Sequence, residues 1–530
     1  MGNIANGELN TFVDGQIVSA NDATYGLNPK MEVIRAAVND NDSRISVLEG
    51  QIATTNANVY NVKSAPYSAV GDGITNDTAS IQAAISAAVA NKGIVVFPFG
   101  TYLVSDYLAI TGACTIMTQG STGTATITQA TVSKGIFSIQ SSNVQIYDLT
   151  LTITNTSSVS VGVIASSGSS SGSYYSNIRI ERCTFNHQAI NGIQLSYCSK
   201  SSIRFCTFST TNVAARYAMN LAPVSTFDIS NNYITTSTSG LVISNASTFP
   251  SNDVVVYKNS VSSKTDAIEI FGSTNIFIVE NVFTAQSGAS SSYTVQGGTS
   301  SGIALSNFYF INNVIDNVLS PTGMAGLDLD VSTAFFIGNL IKDVNGNYLQ
   351  GTNIQIQNNR FENSNLYGIR LSGAFSNVSI SNNSFTDVYY LSSTGANASA
   401  IYLNPTSGGG TYTSVTNNTG SVGSKVATAK NVTGVYLGTA QGTVSYSGND
   451  FVSFTNQISG AVSLNYLFHY VDVTGKEVYV TTSTSAPTIG TWTTGQKVIV
   501  QTPVAGGYIG YVCTAGGTPG TWKGFGAIQV

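Results

Sequence analysis

The 530-residue sequence predicts an all-β chain: a parallel β-helix, with a short helical coiled coil before it and a small β domain after it. Three observations predict this. First, a motif of alternating apolar residues, a small polar residue, a spacer and another apolar residue keeps returning, as in IRIERCTF from Ile178, FDISNNYI from Phe227 and FYFINNVI from Phe308. Its polar position runs through Cys183, Cys206, Asn232, Asn259, Asn281, Asn313, Asn339, Asn359, Asn383, Asn418 and Asn449, in steps of 20 to 35 residues. Second, a period of two inside that longer period means one strand-bearing coil per repeat, stacked along an axis. No repeat carries a 3.6-residue apolar stripe, which excludes helical solenoids. Third, charged residues are 9% of the chain, against about 25% in ordinary globular proteins.

Residues 1–28 are polar and rich in Gly and Asn, with FVDGQIV suited to a hairpin strand. Residues 29–56 carry a heptad, with Met31, Ile34, Val38, Asn41, Ile45, Leu48 and Ile52 in a/d alternation. Isoleucine at both positions favours three or four strands over two, and a polar Asn41 fixes register. Arg44 and Glu49 form an attractive pair in a parallel arrangement. The expected assembly is a parallel homotrimer; a single amphipathic helix packed on its own chain is the other reading.

Residues 57–465 form the predicted solenoid. Asn76, Asp77 or Thr78 caps a helix from about Ala79 to Asn91, whose apolar face is Ile81, Ala84, Ile85, Ala88 and Val89, closed by Gly93. Such a helix covers the first coil, which would otherwise expose an open sheet end. The acidic loop GDGITND lacks the ligand count of a calcium loop and reads as turn and cap chemistry, so no metal is expected. The Asn column follows from the sharp turn between sheets, where Asn tolerates the left-handed conformation and its amide bonds nearby backbone. Stacked amides also bond one another along the axis. Cys183 and Cys206 replace Asn in adjacent coils and are expected to stack inside. The five cysteines make no CxxC and join no histidine cluster. Residues 466–530 form the predicted C-terminal β module.

The stretch AVGDGITNDTASIQAAISAA followed by IVVFPFGTYLVS resembles the opening of pectate-lyase-like right-handed β-helix domains, as found in bacteriophage tailspikes and appendage proteins. Together with the Asn coils and the trimerising heptad, the likeness covers roughly residues 57 to 465. The C-terminal GTWTTGQKVIV…GFGAIQV resembles small β modules at the ends of phage tail proteins. The resemblance implies a homotrimer joined by its N-terminus to a phage tail or baseplate protein. It further implies binding or degradation of a host cell-surface polysaccharide along the β-helix, on a virion assembled in the host cytoplasm and acting outside the cell. The sequence departs from polygalacturonases: their ordered NTD, DD, GHG and RIK motifs are missing, and the only histidines are His187 and His469. A His-dependent pectin hydrolase is therefore not expected, and His187 reads as an exposed turn residue.

The outward face carries the candidate chemistry. Most coils contain a G/A-I-x-L strand whose flanking residues point in and whose x points out. The x column reads Gln194, Asn220, Val242, Glu269, Ala304, Asp328, Tyr348, Arg370, Tyr402 and Tyr436. Tyrosines beside polar groups suit sugar stacking with hydroxyl hydrogen bonds. Glu269 and Asp328, two rungs and about 10 Å apart along the backbone, are the candidate acid/base pair, with Asp330 as a third catalytic carboxylate. Inverting glycosidases hold their carboxyls ~6.5–9.5 Å apart and retaining ones ~5–5.5 Å, so inversion fits better. Asp266, Tyr348, Arg370 and Tyr402 are the candidate substrate-binding residues, Arg370 holding an acidic or phosphorylated substituent. The bland reading is a solubilising face. A second column, Asp316, Lys342 and Glu362, reads as a surface ion-pair ladder of little energy.

Net charge is −5 with no Lys/Arg cluster, which argues against nucleic acid or an anionic membrane as partner. No 18-residue apolar segment exists, so no membrane insertion is expected. The N-terminus MGNIANGELN lacks a basic region and an apolar core, so synthesis in a cytoplasm without a secretory signal is expected. No cofactor is expected. Three functions stay open: a tailspike that hydrolyses a capsule, exopolysaccharide or teichoic-acid-like glycan; a non-catalytic trimeric receptor-binding fibre; and a secreted pectinase-like lyase.

Overall fold

The computed structural model describes residues 10–13, 16–19 and most of 58–530. The intervals 121–122, 130, 132, 154–161, 168–173, 189–190, 211–216, 290–291, 319–323, 389–397, 406–410, 422–431, 439–443, 452–453, 455, 461–467, 472–475, 482 and 489–490 are excepted. The heptad from Met31 to Ile52 lies outside the described residues. Upstream of it, FVDGQIV contributes to an antiparallel hairpin of Asn10–Val13 with Gln16–Ser19.

Alternation of apolar residues puts one side chain in two into the interior, and each coil does this on three faces. A coil runs through a strand of sheet 1 such as Ile268–Phe271, a strand of sheet 2 such as Ser273–Val279, and a strand of sheet 3 such as Val282–Ala285. Each pairs in parallel with its counterpart in the next coil. Sheet 3 has 14 strands. Sheets 1 and 2 join into one 28-stranded array because Asn347–Gln357 and Tyr367–Ser381 run through the corner between them. At that bend Gly351 takes φ +120, and a Cβ there would lie 1.7 Å from the Val331 carbonyl oxygen, so only glycine fits. The interior is one continuous apolar column that includes stacked rings such as Phe185 on Phe208 at 4.5 Å.

From Arg182 onward the corner between sheets 2 and 3 is uniform. Two residues separate the strands at Arg182–Cys183, Phe205–Cys206, Asn231–Asn232, and so on through Asn417–Asn418. The second of each pair is buried, and from Asn232 onward it forms a ladder. Asn313 donates its backbone N–H to Asn339 Oδ1 at 2.8 Å and its side-chain amide to the Ile278 carbonyl at 2.8 Å. The left-handed conformation belongs to the residue before the ladder position, at Lys258, Glu280, Asn312, Asn358 and Asn382 among others. This corrects the expected division of labour: the ladder asparagine supplies amide bonds, and its predecessor absorbs the turn. The other two corners, on either side of sheet 1, vary in length from coil to coil. Cys183 and Cys206 take the ladder position in adjacent coils, buried and unbridged, with Cys206 N–H donating to Asn232.

The helix Thr78–Asn91 covers the first coil with Ile81, Ala84, Ile85 and Ala88 buried. Asp77 precedes it without a side-chain capping bond; its carboxylate instead accepts from the backbone of Val70 and Gly71, at 2.7 and 3.0 Å. Asp72 accepts from Ile74 and Thr75 in the turn, and those bonds hold its carboxyl below the usual range. His187 is not exposed. It faces inward in Thr184–His187, in register with Ile153, and is 1% exposed, because period-two alternation after the turn returns that position to the core.

Asp316, Lys342 and Glu362 occupy consecutive rungs of sheet 3. Lys342 pairs with Asp316 at 2.7 Å, while Glu362 turns to Arg360 of its own coil. Beyond the solenoid, five strands from Phe468 to Ala527 form a separate sheet over Trp492, Val498 and Cys513. No helix among the described residues is long and apolar enough to cross a membrane.

Candidate functional site: a carboxylate and tyrosine groove on sheet 1

Register along sheet 1 sets the site. Outward positions pair as Gln194 with Asn220, Asn220 with Val242, and Val242 with Glu269. The column continues from Glu269 to Gln296, Asp328, Tyr348, Arg370, Tyr402 and Tyr436. Glu269 and Asp328 therefore stand two rungs apart. Ala304 is not in the column; Gln296 of Ser292–Gly298 fills that rung. The GIAL run that suggested Ala304 lies in a turn closed by a bridge between Ser300 and Ile303.

Three half-buried carboxylates gather at the lower end of the groove. Burial raises Glu269 above the usual carboxylate range, and the charge of Asp266 adds to this. Hydrogen bonds from Ser239 and Tyr217 offset part of the shift, with Tyr217 Oη 3.3 Å from Glu269 Oε2. Asp266 is raised first by burial, although the Tyr293 N–H donates to it at 3.1 Å; the charge of Asp328 raises it further. Asp328 is raised by burial and lowered in part by the Tyr293 hydroxyl. Asp330 is not one of the groups acting on Asp328. It points outward one step further along the strand, paired with Gln350. Burial thus raises Asp328, and Asp266 is the carboxylate that acts on Glu269.

The upper end is aromatic. The Arg370 guanidinium lies 5.6, 5.4 and 5.5 Å from the ring centres of Tyr348, Tyr367 and Tyr402. Its Nε is buried without a hydrogen-bond partner, and no carboxylate among the described residues pairs with it. Tyr402 stacks flat on Tyr436 at 4.9 Å. Burial raises the Tyr348 hydroxyl, while the charge of Arg370 lowers it.

Tyr217, Tyr293 and Tyr367 were not picked out in the sequence. Each sits three residues before a column position, at Asn220, Gln296 and Arg370, as Asp266 does before Glu269. That offset places them along the same groove edge and was a readable signal. No group of three or more His, Cys, Asp or Glu among the described residues is arranged to hold a metal ion.

Among solved structures, the chain is similar to the catalytic unit of a GH87 α-1,3-glucanase from Streptomyces thermodiastaticus. Identity is 13% and the TM-score 0.47, over 77% of this chain and 69% of that one. It is similar to PfbA, a surface adhesin of Streptococcus pneumoniae, at 14% identity and TM-score 0.47, over 73% and 92%. It is also similar to tailspike protein 3 of bacteriophage CBA120, at 10% identity and TM-score 0.46, over 97% and 78%. No curated protein sequence matches the chain. The family described as rhamnogalacturonase A/epimerase, pectate lyase-like, matches residues 59–323. With that match spanning half of its 530 residues, the chain belongs to the rhamnogalacturonase A/epimerase, pectate lyase-like family.

Proposed function

We propose that this protein is a phage tailspike whose sheet 1 groove binds a bacterial surface polysaccharide and hydrolyses its glycosidic bonds. The observation that carries the reading is the gathering of Asp266, Glu269 and Asp328, all desolvated, in a groove that continues into tyrosines. Raised carboxyls in a cleft are what general acid chemistry requires at neutral pH. The sequence likeness to tailspike openings and the heptad support the virion setting, a homotrimer and attachment through the N-terminus.

Glu269 is the general acid, its protonated form favoured by burial and by the negative charge of Asp266. It gives its proton to the glycosidic oxygen as the bond from that oxygen to the anomeric carbon breaks. Asp328, which burial raises and which accepts from the Tyr293 hydroxyl in its anionic form, takes a proton from the water whose oxygen bonds to the anomeric carbon. Exchange of one proton with solvent at each carboxyl restores the site. Two rungs leave about 10 Å between the two backbones, room for a water on the far face of the sugar and hence for inversion. Tyr348, Tyr402 and Tyr436 stack on sugar rings further along, and Arg370 holds an acidic or phosphorylated substituent through donors left free of carboxylates.

Incubating the full-length protein with purified host glycans tests the reading. New reducing ends support hydrolysis; an unsaturated product absorbing in the ultraviolet means a lyase instead. Binding without any cleavage means a receptor-binding fibre, for which the aromatic half of the groove suffices.

A further inference from the structure

The groove on sheet 1 carries opposite charge at its two ends, which cleavage by itself does not require. At the lower end Asp266, Glu269 and Asp328 stand together, and no cation among the described residues acts on any of them. Arg370, at the upper end, is the reverse case. Tyr348 and Tyr402 flank it one rung below and one rung above, and Tyr367 stands at the groove edge beside it, within 5.4 Å of the guanidinium. Three rings offer the cation their faces but no anion, and its buried Nε has no hydrogen-bond partner. A guanidinium so enclosed is already ordered, so an anion meeting it there costs little further ordering.

Rungs give the distance between the two ends. The rung of Gln296 lies midway between Glu269 and Asp328. From Gln296 the column passes through Asp328 and Tyr348 to Arg370, three steps, or about 14 Å. One rung is close to the advance of one hexose along an extended glycan. A glycan lying along the column therefore reaches Arg370 about three sugars from a bond held over Gln296.

We infer that the groove selects a glycan whose repeat carries one anionic sugar, held by Arg370 about three sugars from the bond that is cut, with neutral sugars at the cut itself. This rests on the reading of the groove as a polysaccharide hydrolase and names the class of polymer it takes. An anionic sugar over Asp266, Glu269 and Asp328 sets like charge against like with no cation to offset it, so it is rejected there. The same sugar at Arg370 gains a charge-assisted contact. Repulsion at one end and attraction at the other fix the phase of the polymer in the groove, so the cut falls at the same bond of every repeat. A carboxylate and a phosphate share the chemistry that Arg370 recognises.

The test uses the full-length chain and the host polysaccharide that the wild type cleaves. Tandem mass spectrometry of the limit products should find one acidic or phosphorylated sugar per repeat, at a constant place about three sugars from the cut. Reducing uronic carboxyls to alcohols removes the charge if it is a carboxylate, and phosphatase removes it if it is a phosphate. The neutralised polymer should be cut with KM raised about 10–100-fold and kcat held within about twofold. Arg370→Gln should cut native and neutralised polymer alike, because the charge then has no partner to lose. The wild-type comparison of the two polymers stands even if that variant does not fold. Polygalacturonate, charged at every sugar, should resist cleavage. A cleaved glycan without any anionic sugar overturns the inference and leaves hydrolysis standing. An unchanged KM after neutralisation, or an anionic sugar at the cut, does the same. A wild type that binds host glycans and cuts none overturns hydrolysis, and the inference falls with it.

Discussion

Asn313 and Asn339 stand one coil apart, and Asn313 gives Asn339 Oδ1 both its backbone N–H, at 2.8 Å, and its side-chain amide, at 3.2 Å. Asn281 does the same to Asn313. Each ladder residue therefore satisfies the coil before it and is satisfied by the coil after it, in an interior where water cannot substitute.

Asn313→Leu should break this chain in both directions. The N–H of Asn281 loses its acceptor and the Ile278 carbonyl loses a donor, at about 1–3 kcal/mol for each group left unpaired. Urea unfolding should show the loss, and folding yield should fall with it. Unchanged yield and unchanged midpoint would place Asn313 outside any energetic ladder.

Glu269→Gln should abolish cleavage by at least ~10²-fold, the usual contribution of a positioned acid, while glycan binding is retained. Asp328→Asn should do likewise, and Asp330→Asn should keep wild-type turnover. Near-wild-type activity in either of the first two variants would exclude this pair as the acid and base.

Asp266→Asn removes a negative charge that raises Glu269. The pH above which cleavage declines should therefore move down, because Glu269 would lose its proton earlier. Rate profiles against pH measure this; an unmoved upper limb would mean that Asp266 does not act on the acid.

The same shifts have a stability sign. A carboxyl raised in the folded state binds its proton more tightly there than in the unfolded chain. Its contribution to stability is thus present below the unfolded value, about 4, and is lost as pH rises through the folded value. Glu269→Gln should raise the melting temperature at pH 7 and leave it nearly unchanged at pH 4. Equal effects at both pH values would refute the burial account.

Arg370→Gln should weaken binding of an anionic glycan about 10–100-fold, the equivalent of a charge-assisted hydrogen bond of ~1.5–3 kcal/mol. Binding of a neutral glycan should change far less. Calorimetry with both polymers separates the cases, and equal loss for both would assign Arg370 to packing among tyrosines.

The solenoid was legible because period-two alternation and the Asn recurrence are both local patterns repeated many times. The column from Glu269 to Tyr436 was legible for the same reason, since one short strand motif marks a rung. Gln296 was missed because its strand, SYTVQGG, lacks that motif while a nearby turn, GIAL, imitates it. His187 was misread because one residue of phase separates an exposed turn from the core. Asp266 acting on Glu269, and Tyr293 on Asp328, depend on how side chains lean between neighbouring coils, which spacing along the chain does not encode.

The uniform two-residue corner between sheets 2 and 3 has an evolutionary consequence. Through the coils from Asn232 onward, where amides lock that corner, changes in coil length emerge beside sheet 1, on one flank of the groove or the other. Insertions and deletions there re-wall the groove while the register of Glu269, Asp328 and Arg370 stays put. A lineage can thus reshape the groove by exchanging loops, coil by coil, without having to reinvent the scaffold beneath it.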